Sequence, residues 1–119
     1  MPLDDFQGRY DQIIIESCNF TKIPAYSFEG LRTEYMTIQY NEMLEEIEAN
    51  FMGSDPRTTR KLSINYNDYL TEFPFYHMAP FSALHTFELV ESGIMDIPAD
   101  IQWPSSLNLI NLNMNKGGN

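Results

Sequence analysis

The chain has 119 residues, of which 43% are apolar, and its 17 acidic and 7 basic side chains give a formal net charge of −10. The acidic excess disfavours nucleic acid and anionic membranes as partners, and the lone cysteine excludes an internal disulfide framework. No apolar run approaches the ~18 residues that a membrane-spanning helix requires, and residues 1–6 lack the pattern of a signal peptide. Composition therefore predicts one ordinary domain without a membrane span.

A short sequence pattern recurs along the chain. In its first copy, Ile13 and Ile15 are followed by Cys18, and the step Ile23-Pro24 comes next, which gives the pattern apolar-x-apolar-x-x-Asn/Cys and then Ile-Pro. Later copies repeat this order, and their first positions are 13, 36, 62, 87 and 110, so the intervals are 23, 26, 25 and 23 residues. Such intervals fall in the range of about 20 to 29 residues that a leucine-rich repeat occupies.

The copies resemble leucine-rich repeats over nearly the whole chain, from about residue 10 to residue 115. The Ile-Pro step and the later Phe28 are similar to those of extracellular members, such as arthropod secreted repeat proteins and Slit- and Toll-like ectodomains. The resemblance implies an α/β solenoid with a short parallel concave sheet and about four to five repeats. We expect one domain over 1–119, with repeats that start near residues 10, 33, 59, 84 and 107.

The residue types have a physical reason at this spacing. Alternate strand residues, such as Leu62 and Ile64, point into a shared core, and the residues between them point outward. A buried polar side chain after each strand can bond to backbone groups of the neighbouring turn, so these side chains are expected to form a ladder. The ladder positions are Cys18, Asn41, Asn67, Ser92 and Asn115.

The second copy allows a different interpretation. Its apolar residues between Met36 and Phe51 also fall at the spacing of one helical face, so a long helix is the alternative over 36–51. Register with the other copies favours the repeat. Residues 52–59 contain Gly, Ser, Asp and Pro together and are predicted to form a loop on the convex side.

No pattern of an enzyme or a metal site is found in the sequence. There is no glycine-rich phosphate loop, and His77 and His85 lack neighbouring Cys or carboxylate ligands at metal-binding spacing. We therefore expect no catalytic residue, no metal and no cofactor. Cys18 fits a structural role in the ladder, and the methionines near core positions are expected to fill gaps in the core. These methionines are Met36, Met43, Met78 and Met95.

Acidic residues and one sequon complete the features outside the strands. Glu45, Glu46 and Glu48 form a run that is most simply a solvated surface. Asn19 begins the sequon Asn-Phe-Thr, which is a candidate glycosylation site if the chain enters the secretory pathway. Together with the Ile-Pro type of repeat, the sequon favours an extracellular, secreted or receptor-like glycoprotein.

The outward strand positions are the predicted binding surface, because a solenoid exposes one long sheet that commonly binds a partner. Tyr40 and Tyr66 should be neighbours just before the ladder. They are interpreted either as aromatic binding anchors or as a cross-strand pair that only packs together. Acidic side chains on the same face favour a partner with a basic patch. The predicted contact residues are Tyr40, Tyr66, Glu88, Glu91, Gln39 and Asn65.

The expected function is extracellular binding of a protein or peptide through the concave face. The alternative is a non-catalytic structural subunit of a secreted complex, and an enzyme that uses His77 or His85 is the least favoured hypothesis. Neither end supplies an evident polar cap. This predicts a fragment of a longer protein, or self-association through an uncovered last strand.

Overall fold

A computed structural model describes residues 8–54, 56–113 and 115 of the chain. It is a parallel β-solenoid of about four turns. Five strands form one sheet in the order β1-β3-β5-β6-β7, and two short strands, β2 and β4, form a second sheet. The elements are β1 (Gly8–Glu16), β2 (Lys22–Ile23), β3 (Leu31–Gln39), β4 (Glu46–Ile47), β5 (Lys61–Asn65), a 3₁₀ helix (Phe75–His77), β6 (Thr86–Val90) and β7 (Leu109–Asn111).

The strand register follows the sequence repeat. Ile13 pairs with Met36, Met36 with Leu62, Leu62 with Phe87, and Phe87 with Ile110, all in parallel strands. These are the first positions of the five copies. The repeat interpretation of the second copy is therefore right, and the helical alternative over 36–51 is wrong, because β3, a turn and β4 occupy that segment.

The core lies between the five-stranded sheet and the return loops. Inward residues of the inner strands, such as Leu62 and Leu89, have no solvent exposure. Phenylalanines from the return loops fill the space behind them. Phe73 lies 5.6 Å from the ring of Phe87, which in turn lies 5.5 Å from Trp103. One turn alone cannot enclose such a core, so each turn depends on its neighbours.

The solenoid has almost no helix, and the α/β composition expected from the sequence is wrong in this respect. In the described part of the chain, the return segments consist of turns, the two-residue strands β2 and β4, and the single 3₁₀ helix. Proline interrupts the return segments at Pro24, Pro74 and Pro98, and proline cannot continue an α-helix from within. The return path therefore crosses the core in short irregular steps.

The predicted loop after Phe51 is held by a close approach of two backbone segments. Gly53 has a φ of +97°, and a Cβ at this position would lie 2.8 Å from the Cα of Glu29. The Glu29 carboxylate accepts hydrogen bonds from the backbone N–H and the hydroxyl of Ser54. Glycine is therefore required both by the backbone conformation and by the space available.

The short strands β2 and β4 carry an ion pair on their outer side. The ammonium of Lys22 lies 3.1 Å from a carboxylate oxygen of Glu48 and 4.0 Å from one of Glu46. A hydrogen bond from the backbone N–H of Ala25, and then the contact with Lys22, lower the pKa of Glu48. The hydrogen bond with Glu48 raises the pKa of Lys22. The lowered pKa of Glu48 contributes stability that is lost as the pH falls through the folded-state value.

Candidate functional site

Buried polar side chains follow the strands of the five-stranded sheet and form the predicted ladder. The amide oxygen of Asn41 accepts a hydrogen bond from the backbone N–H of Cys18 at 3.0 Å, and that of Asn67 accepts one from the backbone N–H of Asn41 at 3.1 Å. The amide oxygen of Asn115 accepts one from the backbone N–H of Ser92 at 2.9 Å. The ladder satisfies backbone groups of the neighbouring turn, as the residue pattern predicted.

The residue before each of the first four ladder positions has a left-handed backbone. The φ values at Ser17, Tyr40, Tyr66 and Glu91 lie between 53° and 60°. Each of these residues donates its backbone N–H to a carbonyl oxygen of the next turn, at 2.8 to 3.3 Å. Non-glycine residues adopt such a conformation infrequently, and here the hydrogen bonds to the next turn hold it, so the Cα–Cβ direction of each residue in this column is fixed.

Two side chains of this column form an exposed aromatic stack. The rings of Tyr40 and Tyr66 have centroids 5.0 Å apart and planes inclined by only 10°. Tyr40 is 52% exposed and Tyr66 is 39% exposed. The two tyrosines therefore pack against each other, as the cross-strand interpretation predicted. They also leave a large aromatic surface in solvent, as a binding anchor requires.

Outward polar residues beside the stack are connected across the strands. The Gln39 side-chain amide donates a hydrogen bond to the Glu16 carboxylate at 2.7 Å. A single carboxylate oxygen of Glu88 accepts from the hydroxyl of Ser63 at 3.0 Å and from the side-chain amide of Asn65 at 3.3 Å. These bonds orient the carboxylates on the outer surface of the sheet. This surface is called the sheet face below. It comprises the outward residues of β1, β3, β5 and β6 and the left-handed column that follows these strands, which consists of Ser17, Tyr40, Tyr66 and Glu91.

The structure brings most of the predicted contact residues together around Asn65. Gln39 is the register partner of Asn65, and the backbone N–H of Tyr40 donates a hydrogen bond to the Asn65 carbonyl oxygen. Asn65 also contacts Glu88, and Tyr40 stacks on Tyr66. Glu91 is half-buried and follows Tyr66 in the left-handed column. The amide oxygen of Asn65 is buried without a hydrogen-bond partner in the described part of the chain.

Met43, which the sequence analysis predicts to fill a gap in the core, instead lines a groove beside the stacked tyrosines. This groove, of about 460 Å³, is lined by Ser17, Cys18, Asn19, Tyr40, Glu42 and Met43. The prediction that Met43 and Met95 fill gaps in the core is wrong, since they are 50% and 66% exposed, whereas Met36 and Met78 are buried. Leu44 takes the core position in the second turn, and Met43 is left on the rim of the groove.

The other candidate residues lie apart from the sheet face. Asn19 is exposed, so its side chain is accessible, and its glycosylation stays a prediction. His85 contacts Asn108 and Thr86, and His77 is exposed in the 3₁₀ helix. Among residues 8–54, 56–113 and 115, no three His, Cys, Asp or Glu side chains are grouped so that they could hold a metal ion. Within the same residues, no helix has the length and apolar character that would span a bilayer.

The fold and the repeat define the chain as a parallel β-solenoid with an aromatic and acidic sheet face. No protein-family model matches the chain, and neither a curated protein nor a solved structure shows a significant match.

Proposed function

We propose that the chain is a binding module of the leucine-rich repeat type, which holds a basic protein or peptide segment against its sheet face. The observation that carries the proposal is the stacked pair of Tyr40 and Tyr66, which is exposed and yet held in one geometry. Large aromatic side chains with a polar tip are the residues that most often dominate the energy of protein interfaces.

The pair is organised before a partner arrives. Both tyrosines have their backbone fixed by hydrogen bonds to the next turn, and each ring restrains the other. Ordering flexible side chains costs about 0.5–1.5 kcal/mol each when a complex forms. A pre-ordered pair avoids much of this cost, which favours a role in binding over packing alone.

The charges around the pair favour a basic partner. Glu16 and Glu88 lie on the sheet face, Glu91 follows Tyr66 in the left-handed column, and Glu42 lines the groove beside Tyr40. A Lys or Arg side chain laid over a tyrosine ring would gain a cation–π interaction of about 0.5–2 kcal/mol and would also approach these carboxylates. An acidic partner would meet like charge.

The family and the location belong to the same proposal. A repeat interval of 23 to 26 residues and an asparagine ladder support leucine-rich repeats, here in a form whose convex side consists of turns. The Ile23-Pro24 step and the exposed Asn19 sequon support a secreted or ectodomain protein. The family assignment or the extracellular location could be wrong while the proposed binding surface is still correct. Deglycosylation of material secreted from eukaryotic cells tests the location, because an unchanged mass would contradict modification of Asn19.

The test of the binding surface replaces both tyrosines by asparagine. Asparagine tolerates a positive φ, so the Tyr40→Asn/Tyr66→Asn variant removes the rings without adding backbone strain. The matched control is Tyr26→Asn, because Tyr26 has a φ of 61° and is 52% exposed but lies outside the five-stranded sheet. Partners captured from extracellular fluid by the native chain are identified by mass spectrometry, and their affinities for all three proteins are measured.

We expect the double variant to bind at least roughly thirtyfold more weakly, a loss of about 2 kcal/mol, while the control binds like the native chain. Association should also slow as salt is raised, because screening weakens attraction between a basic partner and the acidic face. Equal binding by the folded double variant would reject the sheet face. In that event the scaffold alternative, a non-catalytic subunit held by other surfaces, becomes the better hypothesis.

A further inference from the structure

A second, chemically different surface lies at the amino ends of the strands. A cavity of about 210 Å³ opens there. It is lined by Arg32, Thr33, Glu34, Thr58, Arg60 and Ala83. The five residues of β5 separate Arg60 from Tyr66, which places the two Cα atoms about 20 Å apart at ~3.3 Å per step, so this cavity is distinct from the tyrosine pair.

The two arginines of the cavity are not neutralised within the protein. Both are exposed, and neither forms an ion pair in the described part of the chain. Because the chain has 17 acidic residues and only 7 basic ones, carboxylates are abundant enough to pair with every lysine and arginine. Lys22 is placed in this way, between Glu46 and Glu48. The arginine pair therefore keeps its binding capacity for a group from outside.

Glu34 lines the same cavity, and its carboxylate would repel a bound anion. Its backbone carbonyl accepts a hydrogen bond from the backbone N–H of Arg60 at 2.8 Å, and its carboxylate forms no ion pair with either arginine. Two guanidinium groups and one carboxylate leave the cavity with one net positive charge. The opposing carboxylate also supplies a test, since its neutralisation should strengthen the binding of an anion.

We propose that this cavity binds a sulfate or phosphate ester group through Arg32 and Arg60, with the Thr58 hydroxyl as an additional donor. A planar guanidinium presents paired N–H donors that match a tetrahedral oxyanion, and charge-assisted hydrogen bonds of this kind are about twice as strong as neutral ones. The net charge of −10 repels anions at long range, so recognition depends on these close contacts.

The test is a titration of the ¹⁵N-labelled chain with sodium sulfate and, separately, with sodium phosphate, followed by NMR. Sodium chloride keeps the ionic strength constant throughout. The variants are Arg32→Gln, Arg60→Gln and Glu34→Gln. The control is Lys61→Gln, which removes a cation next to Arg60 whose side chain does not line the cavity. Signal dispersion and the thermal midpoint show that each variant is folded.

We expect saturable shifts at the arginine side-chain N–H groups and at the backbone of residues 32–34 and 58–60. Either arginine variant should weaken binding roughly tenfold or more, because it removes one charged donor group from the anion. Glu34→Gln should tighten it, and Lys61→Gln should change it less than either arginine variant. Sulfated and phosphorylated monosaccharides then show which ester fits better, and preference for either one supports the site.

Shifts that grow linearly without saturation would overturn the proposal, as would an equal loss in the Lys61→Gln variant. Binding that Glu34→Gln fails to strengthen would also contradict it, because the anion would then lie outside the cavity. The experiment uses no protein partner. Its outcome is therefore independent of whether the tyrosine pair binds a basic segment.

Discussion

At the scale of single residues, the side chain of Asn67 forms hydrogen bonds with three backbone groups of the ladder. Its amide group donates to the carbonyl oxygens of Ile38 and Asn65, and its amide oxygen accepts from both the backbone and the side chain of Asn41. The bonds to Ile38 and Asn41 lie where water has little access, since Asn41 and Asn67 have no solvent exposure. Removing one such side chain leaves several polar groups unpaired.

The Asn67→Ala variant should therefore lose about 3 kcal/mol or more of its free energy of unfolding, because each buried unpaired group costs about 1–3 kcal/mol. Urea denaturation measures the loss. Asn19→Ala is the control, since the Asn19 side chain is exposed, and its effect should stay within about 0.5 kcal/mol. Similar losses for the two variants would contradict the structural role of the ladder.

At the scale of elements, the inner strands and the aromatic return loops stabilise each other. Phe87 of β6 is fully buried and contacts the rings of Phe73 and Trp103, which come from the return segments before and after it. Ile110 of β7 has the same register position but is 43% exposed. Self-association through this last strand stays a prediction.

Replacing Phe87 by alanine should lower the free energy of unfolding by about 3–5 kcal/mol, because a cavity would open between two turns. The control is Phe20→Ala, whose ring is 37% exposed and which should cost about 1 kcal/mol or less. Both values come from urea denaturation. If the two variants were equally destabilised, the packing between the sheet and the return loops would not be the main source of stability.

At the scale of the whole molecule, the acidic excess acts against compactness. A net charge of −10 is confined within a particle whose radius of gyration is 13.4 Å. Lys22 pairs with Glu46 and Glu48, but the chain has ten more acidic than basic side chains, so pairing cannot offset most of this charge. Repulsion between like charges favours the expanded chain, and salt weakens that repulsion.

We therefore expect the thermal midpoint to rise by about 3 °C as sodium chloride is raised from about 10 to about 150 mM at neutral pH. Scanning calorimetry provides the measurement, and potassium fluoride at matched ionic strength separates screening from chloride binding. A fall of the midpoint with salt would show that attractive ion pairs outweigh the repulsion.

The sequence alone determined the stacking of the turns. The interval between copies places Ile13, Met36 and Leu62 in one register, and the same interval brings Tyr40 beside Tyr66 and Asn41 beside Asn67. These relations depend only on the number of residues per turn, because parallel strands in a solenoid align equivalent positions. Spacing in the sequence is therefore enough to predict them.

Only the tertiary structure decided what lies between the strands and how the side chains point. The turns in place of helices, the exposure of Met43, the positive φ of Tyr66 and the meeting of Arg32 with Arg60 in one cavity have no signal in the repeat. The return segments differ in length and in proline content, so their conformation depends on how each packs against the adjacent turns. Local propensity is a weak guide where packing between neighbours decides the backbone.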